Sequence, residues 1–105
     1  EEVFVVVYLN TKNHVISTEV VSGGTIDHAV VYPRNIAESA LKNKAAAIII
    51  MHNHPSGIAT PSSADIKLTE AVRNALLPLD IRLLDHIVVT RTACFSFFEK
   101  NMIKH

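Results

Sequence analysis

Residues 45–72 read AAAIIIMHNHPSGIATPSSADIKLTEAV, which places an apolar run, a turn and a helix-like segment in immediate succession. The apolar run at 45–51 is too short for a membrane span and predicts a buried strand. The pair Thr60-Pro61 predicts the start of a helix, because threonine is a good N-cap and proline suits the first helical position. A strand, a loop and a helix are therefore expected here, and the loop begins with two histidines.

The rest of the chain continues this alternation of strands and helices. Predicted strands cover residues 3–9, 15–21, 45–51 and 81–90, a predicted helix begins at Pro33 and ends near Asn43, and a short closing element covers 95–103. The first run, VFVVVYL, is almost continuously apolar, so we expect a strand that is buried on both faces. Strands interleaved with helices predict an α/β fold in which helices sandwich a mixed β-sheet.

Length and cysteine content limit the type of protein. With 105 residues, 49% of them apolar, the chain is expected to form a single domain, residues 1–105, around one core. Its one cysteine, Cys94, excludes internal disulfides and tetracysteine zinc sites, fits a cytoplasmic location, and is expected in the core. Because the sequence begins at Glu1 rather than at methionine, we expect it to be the C-terminal part of a longer protein.

The charge balance and the length of the apolar runs argue against two classes of partner. The 10 Lys and Arg residues balance 10 Asp and Glu residues, and neither sign clusters along the chain. A domain that holds duplex DNA through its phosphates usually carries a basic excess or stripe. The sequence also has no apolar stretch of the roughly 20 residues that a membrane helix needs. We therefore expect no membrane partner, and DNA binding is not indicated for this part of the chain.

The histidines at the end of the 45–51 run are candidate metal ligands. Side chains two apart on an extended segment point to the same side, so His52 and His54 can bind one ion. Asp65 shares a helix face with Leu68 and Val72, which directs its carboxylate toward the core. A cation beside two histidines would relieve the cost of burying that carboxylate. These three residues are the predicted ligands, although a His-x-His pair alone is also common in loops that bind nothing.

The loop between the histidines and the helix supports this prediction. Pro55 and Gly57 allow the chain to reverse, which brings the first helical turn back beside the histidines. Ser62 lies three residues before Asp65 and is expected to face the same pocket. The residues by themselves therefore predict metal-assisted hydrolysis without identifying the bond that is cleaved.

The spacing of these residues resembles a known metalloprotease motif. His52-x-His54, seven residues, then Ser62-x-x-Asp65 is similar to the JAMM (MPN+) pattern, and the fuller HNHPSG, PSSAD and LLDHI segments resemble RadC-like proteins. The resemblance implies a JAB/MPN fold of cytidine-deaminase-like architecture. It also implies one Zn²⁺ per chain, bound by the two histidines and Asp65, with Ser62 in the active site and a peptide or isopeptide as substrate.

The same resemblance implies a glutamate general base at the start of the first strand. The Glu-Val-Phe order assigns this role to Glu2, with Glu1 as the alternative. Adjacent strand residues face opposite sides, so only one of the two glutamates can face the metal. A solvated chain end without a catalytic role is the competing interpretation.

Two further interpretations of the whole domain are open. RadC-like proteins are associated by name with DNA repair, so the domain can also be an accessory or recognition module that binds metal without peptidase activity. Asn53 stands where peptidase members of the wider family usually have Ser or Thr, which bears on substrate and rate rather than on the metal. The exposed start of the chain can also pair with a second copy to form a homodimer.

Other polar residues are assigned weaker roles. Asp85 and His86 are adjacent in a predicted strand and face opposite ways, so we expect one of them to hydrogen-bond to a ligand histidine rather than to bind metal. The remaining histidines, His14, His28 and His105, are expected to have no role in the site. A zinc deaminase is excluded because its Pro-Cys-x-x-Cys motif needs two cysteines. The letters His-Asn-His do not indicate an HNH nuclease, whose residues are spread over a larger unit.

Overall fold

The computed structural model describes residues 2–21 and 31–104, so Glu1, His28 and His105 lie outside the described residues. The strands are β1 (Phe4–Leu9), β2 (Val15–Val20), β3 (Ala47–Asn53), β4 (Arg82–Val89) and β5 (Cys94–Ser96), and the helices are α1 (Pro33–Lys42) and α2 (Ser63–Leu76). A short 3-10 helix, Leu77–Leu79, follows α2. Neither of the described helices is both long enough and apolar enough to cross a bilayer.

The described strands form one mixed sheet in the order β2-β1-β3-β4-β5. β1 pairs antiparallel with β2 and β3, β3 pairs parallel with β4, and β4 pairs antiparallel with β5. The chain passes through α2 between β3 and β4, because parallel neighbours need a crossover rather than a hairpin. The fold is therefore α/β with a mixed sheet, as the alternating pattern predicts.

One face of the sheet carries the core. Buried side chains of β1, β3 and β4 join those of both helices in one cluster, which includes Phe4, Val6, Ile36, Ala40, Ile48, Ile50, Val72, Leu76 and Val88. On β1, Val5 and Val7 point to the other face and are only partly buried. The prediction that this strand is buried on both faces is wrong, because both described helices contribute to the same cluster.

The start of α2 differs from the prediction. The N-cap is Ser62, not Thr60, and the helix begins at Ser63. The Ser62 hydroxyl accepts the backbone N–H of Asp65, while the Asp65 carboxylate accepts the backbone N–H of Ser62. This reciprocal capping box decides the boundary, because the residue three after Thr60 is a serine, which cannot supply a carboxylate.

Cys94 is exposed, so its predicted place in the core is wrong. It is the first residue of β5, a three-residue strand at the edge of the sheet. Ser96 and Phe97, at the end of this strand and just after it, are buried instead. The apolar letters around Cys94 do not show where so short a strand begins.

Candidate metal centre

Two histidines and one aspartate meet where β3 ends and α2 begins. His52 lies in β3, which ends at Asn53, and His54 follows directly. The two rings lie on the same side of the chain. The loop that follows returns α2 over the end of the strand, and Asp65 lies in the first turn of that helix. His52 is buried, and the side chains of His54 and Asp65 are mostly buried.

The distances among these side chains fit a small cation. Nε2 of His52 lies 3.0 Å from Nε2 of His54, which lies 3.0 Å from Oδ2 of Asp65. The remaining pair, Nε2 of His52 and Oδ1 of Asp65, is separated by 3.3 Å. Ligand atoms about 2.1 Å from a tetrahedral zinc ion are about 3.4 Å from one another. The three predicted ligands therefore lie close enough together to hold one small metal ion.

Asp65 is held as a carboxylate by its own helix. Burial by itself would raise the pKa of Asp65, but the contact with His52 and the hydrogen bond from the Ser62 backbone outweigh it and hold that pKa well below its ordinary value. The N-terminal end of α2 further favours a negative charge at this position. Asp65 thus offers an ionised oxygen ligand and caps α2 with the same group.

The loop fixes the orientation of His54. Its Nδ1 lies 2.9 Å from the carbonyl oxygen of Ile58, and a carbonyl can only accept, so Nδ1 carries the proton. With Nδ1 used in this bond, Nε2 is the ring nitrogen that faces the other two ligands and can bind a metal. The loop can make this contact because Gly57 adopts φ +89°, the left-handed conformation that favours glycine, and donates to the carbonyl of His54.

His86 supports His52 from beneath. Nε2 of His86 lies 2.9 Å from Nδ1 of His52, and both rings are buried. Burial lowers the pKa of His86 to about 3, so this ring is neutral at physiological pH. The neighbouring Asp85 faces away and accepts hydrogen bonds from Ser96 and Phe98. The prediction that one member of the Asp85-His86 pair contacts a ligand histidine is confirmed, and that member is His86.

Thr69 is a part of the site that sequence reasoning missed. Its Oγ1 lies 2.6 Å from Nδ1 of His86 and 2.8 Å from the carbonyl oxygen of Asp65. Its spacing of four residues from Asp65 places it on the same helix face, which was the available signal. That signal is weak, because a buried threonine on a helix usually bonds only to its own backbone.

Comparison with known proteins identifies the family of this chain. The chain matches, over residues 1–102, the family described as RadC-like JAB domain. The chain belongs to this family. It is 50% identical over 103 residues to a UPF0758 protein of Pseudoalteromonas translucida, covering 98% of this chain and 46% of that protein. A UPF0758 protein of Nitrosospira multiformis is 49% identical over 102 residues, covering 97% of this chain and 46% of that protein. The chain thus spans less than half the length of these relatives.

The first strand of this RadC-like JAB domain runs beside the ligands. Phe4 pairs with His52 across β1 and β3, and the two rings are stacked 5.5 Å apart. The N–H of Val3 donates to the side-chain oxygen of Asn53 at 2.6 Å, and Asn53 donates its own N–H to the carbonyl of Val3. Glu2 is half-buried two residues before β1, and the same register extended beyond the paired residues would bring it opposite His54. Asn53 therefore ties the start of β1 to the end of the strand that carries the histidines.

Ser62 lies beside Asp65 as the N-cap of α2. It is exposed, and its hydroxyl oxygen accepts the N–H of Asp65 at 3.1 Å. Because that bond uses a lone pair, the hydroxyl proton is available to a further acceptor. His14, one of the histidines expected to have no role, is exposed in the turn between β1 and β2, away from the ligand group.

Proposed function

We propose that this RadC-like JAB domain is a zinc-dependent hydrolase of the JAMM type, which cleaves an amide or isopeptide bond. The observation that carries the proposal is the convergence of Nε2 of His52, Nε2 of His54 and a carboxylate oxygen of Asp65 at 3.0–3.3 Å. The proposal includes a single domain with the cytidine-deaminase-like architecture of JAB/MPN proteins and a cytoplasmic location.

The donor set favours a catalytic ion over a purely structural one. Structural zinc sites are usually closed by four protein ligands, whereas catalytic sites take three and leave the fourth to water. Two imidazoles and a carboxylate match the second type. One Zn²⁺ per chain, bound by His52, His54 and Asp65, would act as a Lewis acid and would lower the pKa of a bound water to about 7.

The proposed roles of the chain's other residues follow from their positions. Glu2, opposite His54 by register, takes the proton of the attacking water on its carboxylate and returns it to the leaving amine. Ser62 keeps its hydroxyl proton available while its oxygen caps α2, so it donates to the carbonyl oxygen of the substrate as negative charge develops there. Phe4 covers the inner side of His52 and keeps water from that side of the ligands.

A combined measurement of zinc content and turnover tests the proposal. The protein should contain about one zinc per chain by elemental analysis, and His52→Ala and Asp65→Ala should lose it. Glu2→Gln should keep zinc and lose turnover of peptide and isopeptide substrates, whereas Glu38→Gln, an exposed change on α1, should keep both. A protein that takes up no zinc would refute the proposal.

The same preparation tests the competing function. An accessory domain that recognises DNA would bind duplex DNA tightly, and that binding would weaken steeply with salt. The formal net charge of zero gives no support to such binding. Recognition would be favoured over hydrolysis if the protein retained zinc, hydrolysed none of the tested substrates and bound DNA in a salt-dependent manner.

A further inference from the structure

We infer that Thr69 and His86 are positioning residues that fix the tautomer of His52, so that His52 presents an unprotonated Nε2 to the metal. The inference rests on the metal site proposed above and adds two residues that do not bind the ion. It follows from the direction of each hydrogen bond in a buried chain that begins at the backbone of Asp65 and ends at His52.

The first link fixes the proton of Thr69. Its Oγ1 lies 2.8 Å from the carbonyl oxygen of Asp65, one turn earlier in α2. A carbonyl can only accept, so the single hydroxyl proton of Thr69 is donated to it. The same Oγ1 lies 2.6 Å from Nδ1 of His86 and must therefore accept there. His86 consequently carries its proton on Nδ1.

The second link transmits this choice to the ligand. His86 is fully buried, stacked on Phe97 with ring centroids 4.7 Å apart, and a charged ring there would be costly. A neutral His86 protonated at Nδ1 has an unprotonated Nε2, which accepts from Nδ1 of His52 at 2.9 Å. His52 therefore bears its proton on Nδ1, and its lone pair lies on Nε2, the atom nearest to His54 and Asp65.

The chain of hydrogen bonds connects two of the candidate ligands. It starts at the carbonyl of Asp65 and ends at His52, so it connects two ligands through two residues that are not ligands. His52, Thr69 and His86 are each at most 3% exposed, so water does not compete for these bonds. Without the Thr69 acceptor, a proton on Nδ1 of His86 would have no hydrogen-bond partner, so the tautomer with the proton on Nε2 would be favoured. Nδ1 of His52 would then have to accept, and the His52 proton would sit on Nε2, where the metal binds.

Variants of Thr69 test the inference directly. Thr69→Val keeps the shape but removes the hydroxyl, and zinc affinity measured by chelator competition should fall about 10- to 100-fold, the usual loss for such supporting contacts. Thr69→Ser restores the hydroxyl and should bind zinc within about threefold of the unmodified protein. Val72→Ala is the matched control, because Val72 is equally buried one turn along the same helix and takes no part in the chain. It should lose stability but keep zinc affinity.

Nitrogen-15 NMR of histidine-labelled protein supplies a second readout that needs no metal. In the metal-free protein at neutral pH, Nδ1 of both His52 and His86 should be protonated and Nε2 of His86 unprotonated, and Thr69→Val should change this pattern. If Thr69→Val fails to fold, His86→Phe serves instead, since it keeps the stacking on Phe97 while removing the acceptor for His52.

The outcomes separate the two proposals. A Thr69→Val or His86→Phe protein that binds zinc as tightly as the unmodified protein overturns the inference, as does an unprotonated Nδ1 on His52. An unmodified protein that binds no zinc overturns the proposed function instead. Even then, the histidine spectra of the metal-free protein decide whether Thr69 and His86 fix the tautomer.

Discussion

Replacement of Ser62 separates its two roles, helix cap and proposed hydroxyl donor. The Ser62 oxygen accepts one backbone N–H of α2, at 3.1 Å and exposed to solvent. Loss of such an N-cap costs about 1 kcal/mol when alanine replaces serine, and only a few tenths when glycine does. For a domain of this size, about 1 kcal/mol corresponds to a decrease of roughly 4–8 °C in Tm. Ser62→Ala should therefore lower Tm by that amount, whereas Ser62→Gly should change it little.

Catalysis should respond differently to the same two variants. Both lack the hydroxyl, so both should lose about 10²- to 10³-fold in kcat, the loss typical of removing one donor to a developing oxyanion. Zinc content should stay unchanged, because the carboxylate of Asp65 still accepts the backbone N–H of residue 62. Ser63→Ala is the control, since Ser63 is an exposed neighbour outside the capping box, and should alter neither quantity.

The assay combines thermal unfolding in chelator, zinc analysis and steady-state kinetics on each variant. Equal Tm values for Ser62→Ala and Ser63→Ala would contradict the capping argument. A Ser62→Gly protein with the turnover of the unmodified protein would contradict the proposed donor role, whatever its Tm.

Three further predictions test other parts of the molecule. Asn53→Ala removes a 2.6 Å hydrogen bond to the start of β1, worth about 1 kcal/mol. It should lower kcat about fivefold with zinc retained, and an unchanged kcat would contradict it. Burial raises the pKa of the Tyr8 hydroxyl, and its hydrogen bond to the carboxylate of Glu19 raises it further. The stability that the neutral hydroxyl provides is therefore present below about pH 10, the ordinary tyrosine pKa, and is lost as the pH rises toward the raised pKa. Absorbance titration of Tyr32→Phe should accordingly show tyrosinate only as the protein unfolds, and earlier ionisation would refute this. Removal of zinc by a chelator should preserve the circular dichroism spectrum but lower Tm. The loss in free energy of unfolding should be ~2.7 kcal/mol when the reference sample contains free zinc at 100 times its Kd. His52→Ala should show no such shift in Tm.

The ligands could be predicted from sequence because their geometry is local. A spacing of two on a strand and a shared face on the next helix place His52, His54 and Asp65 together without knowledge of the sheet. The start of α2 was harder, since Thr60-Pro61 and Ser62-x-x-Asp65 are both valid helix-start patterns. The reciprocal bonds of the second pattern satisfy two backbone donors at once, which is why it determines the boundary.

The supporting residues could not be predicted, because they depend on pairing between distant strands. His86 reaches His52 only because β3 and β4 are parallel neighbours in a register that pairs Ile50 with His86 and His52 with Val88. No local pattern fixes that register, and the same letters shifted by one residue would bring Asp85 to the core face instead. Thr69 acquires its role only once His86 is in place.

The arrangement of hydrogen bonds indicates that the protein itself holds the candidate ligands in place. Among the described residues, every buried side-chain nitrogen and oxygen has a hydrogen-bond partner, and the ligands' bonds come from α2, the loop and His86. A zinc finger, by contrast, is unfolded without its metal, because its ligands have no other partners. Here Asp65 is already stabilised as a carboxylate by the helix that it caps, and each histidine is already oriented by a bond at Nδ1. A metal ion bound here would therefore have little ordering to impose, and its binding energy would be available for affinity rather than for folding the domain.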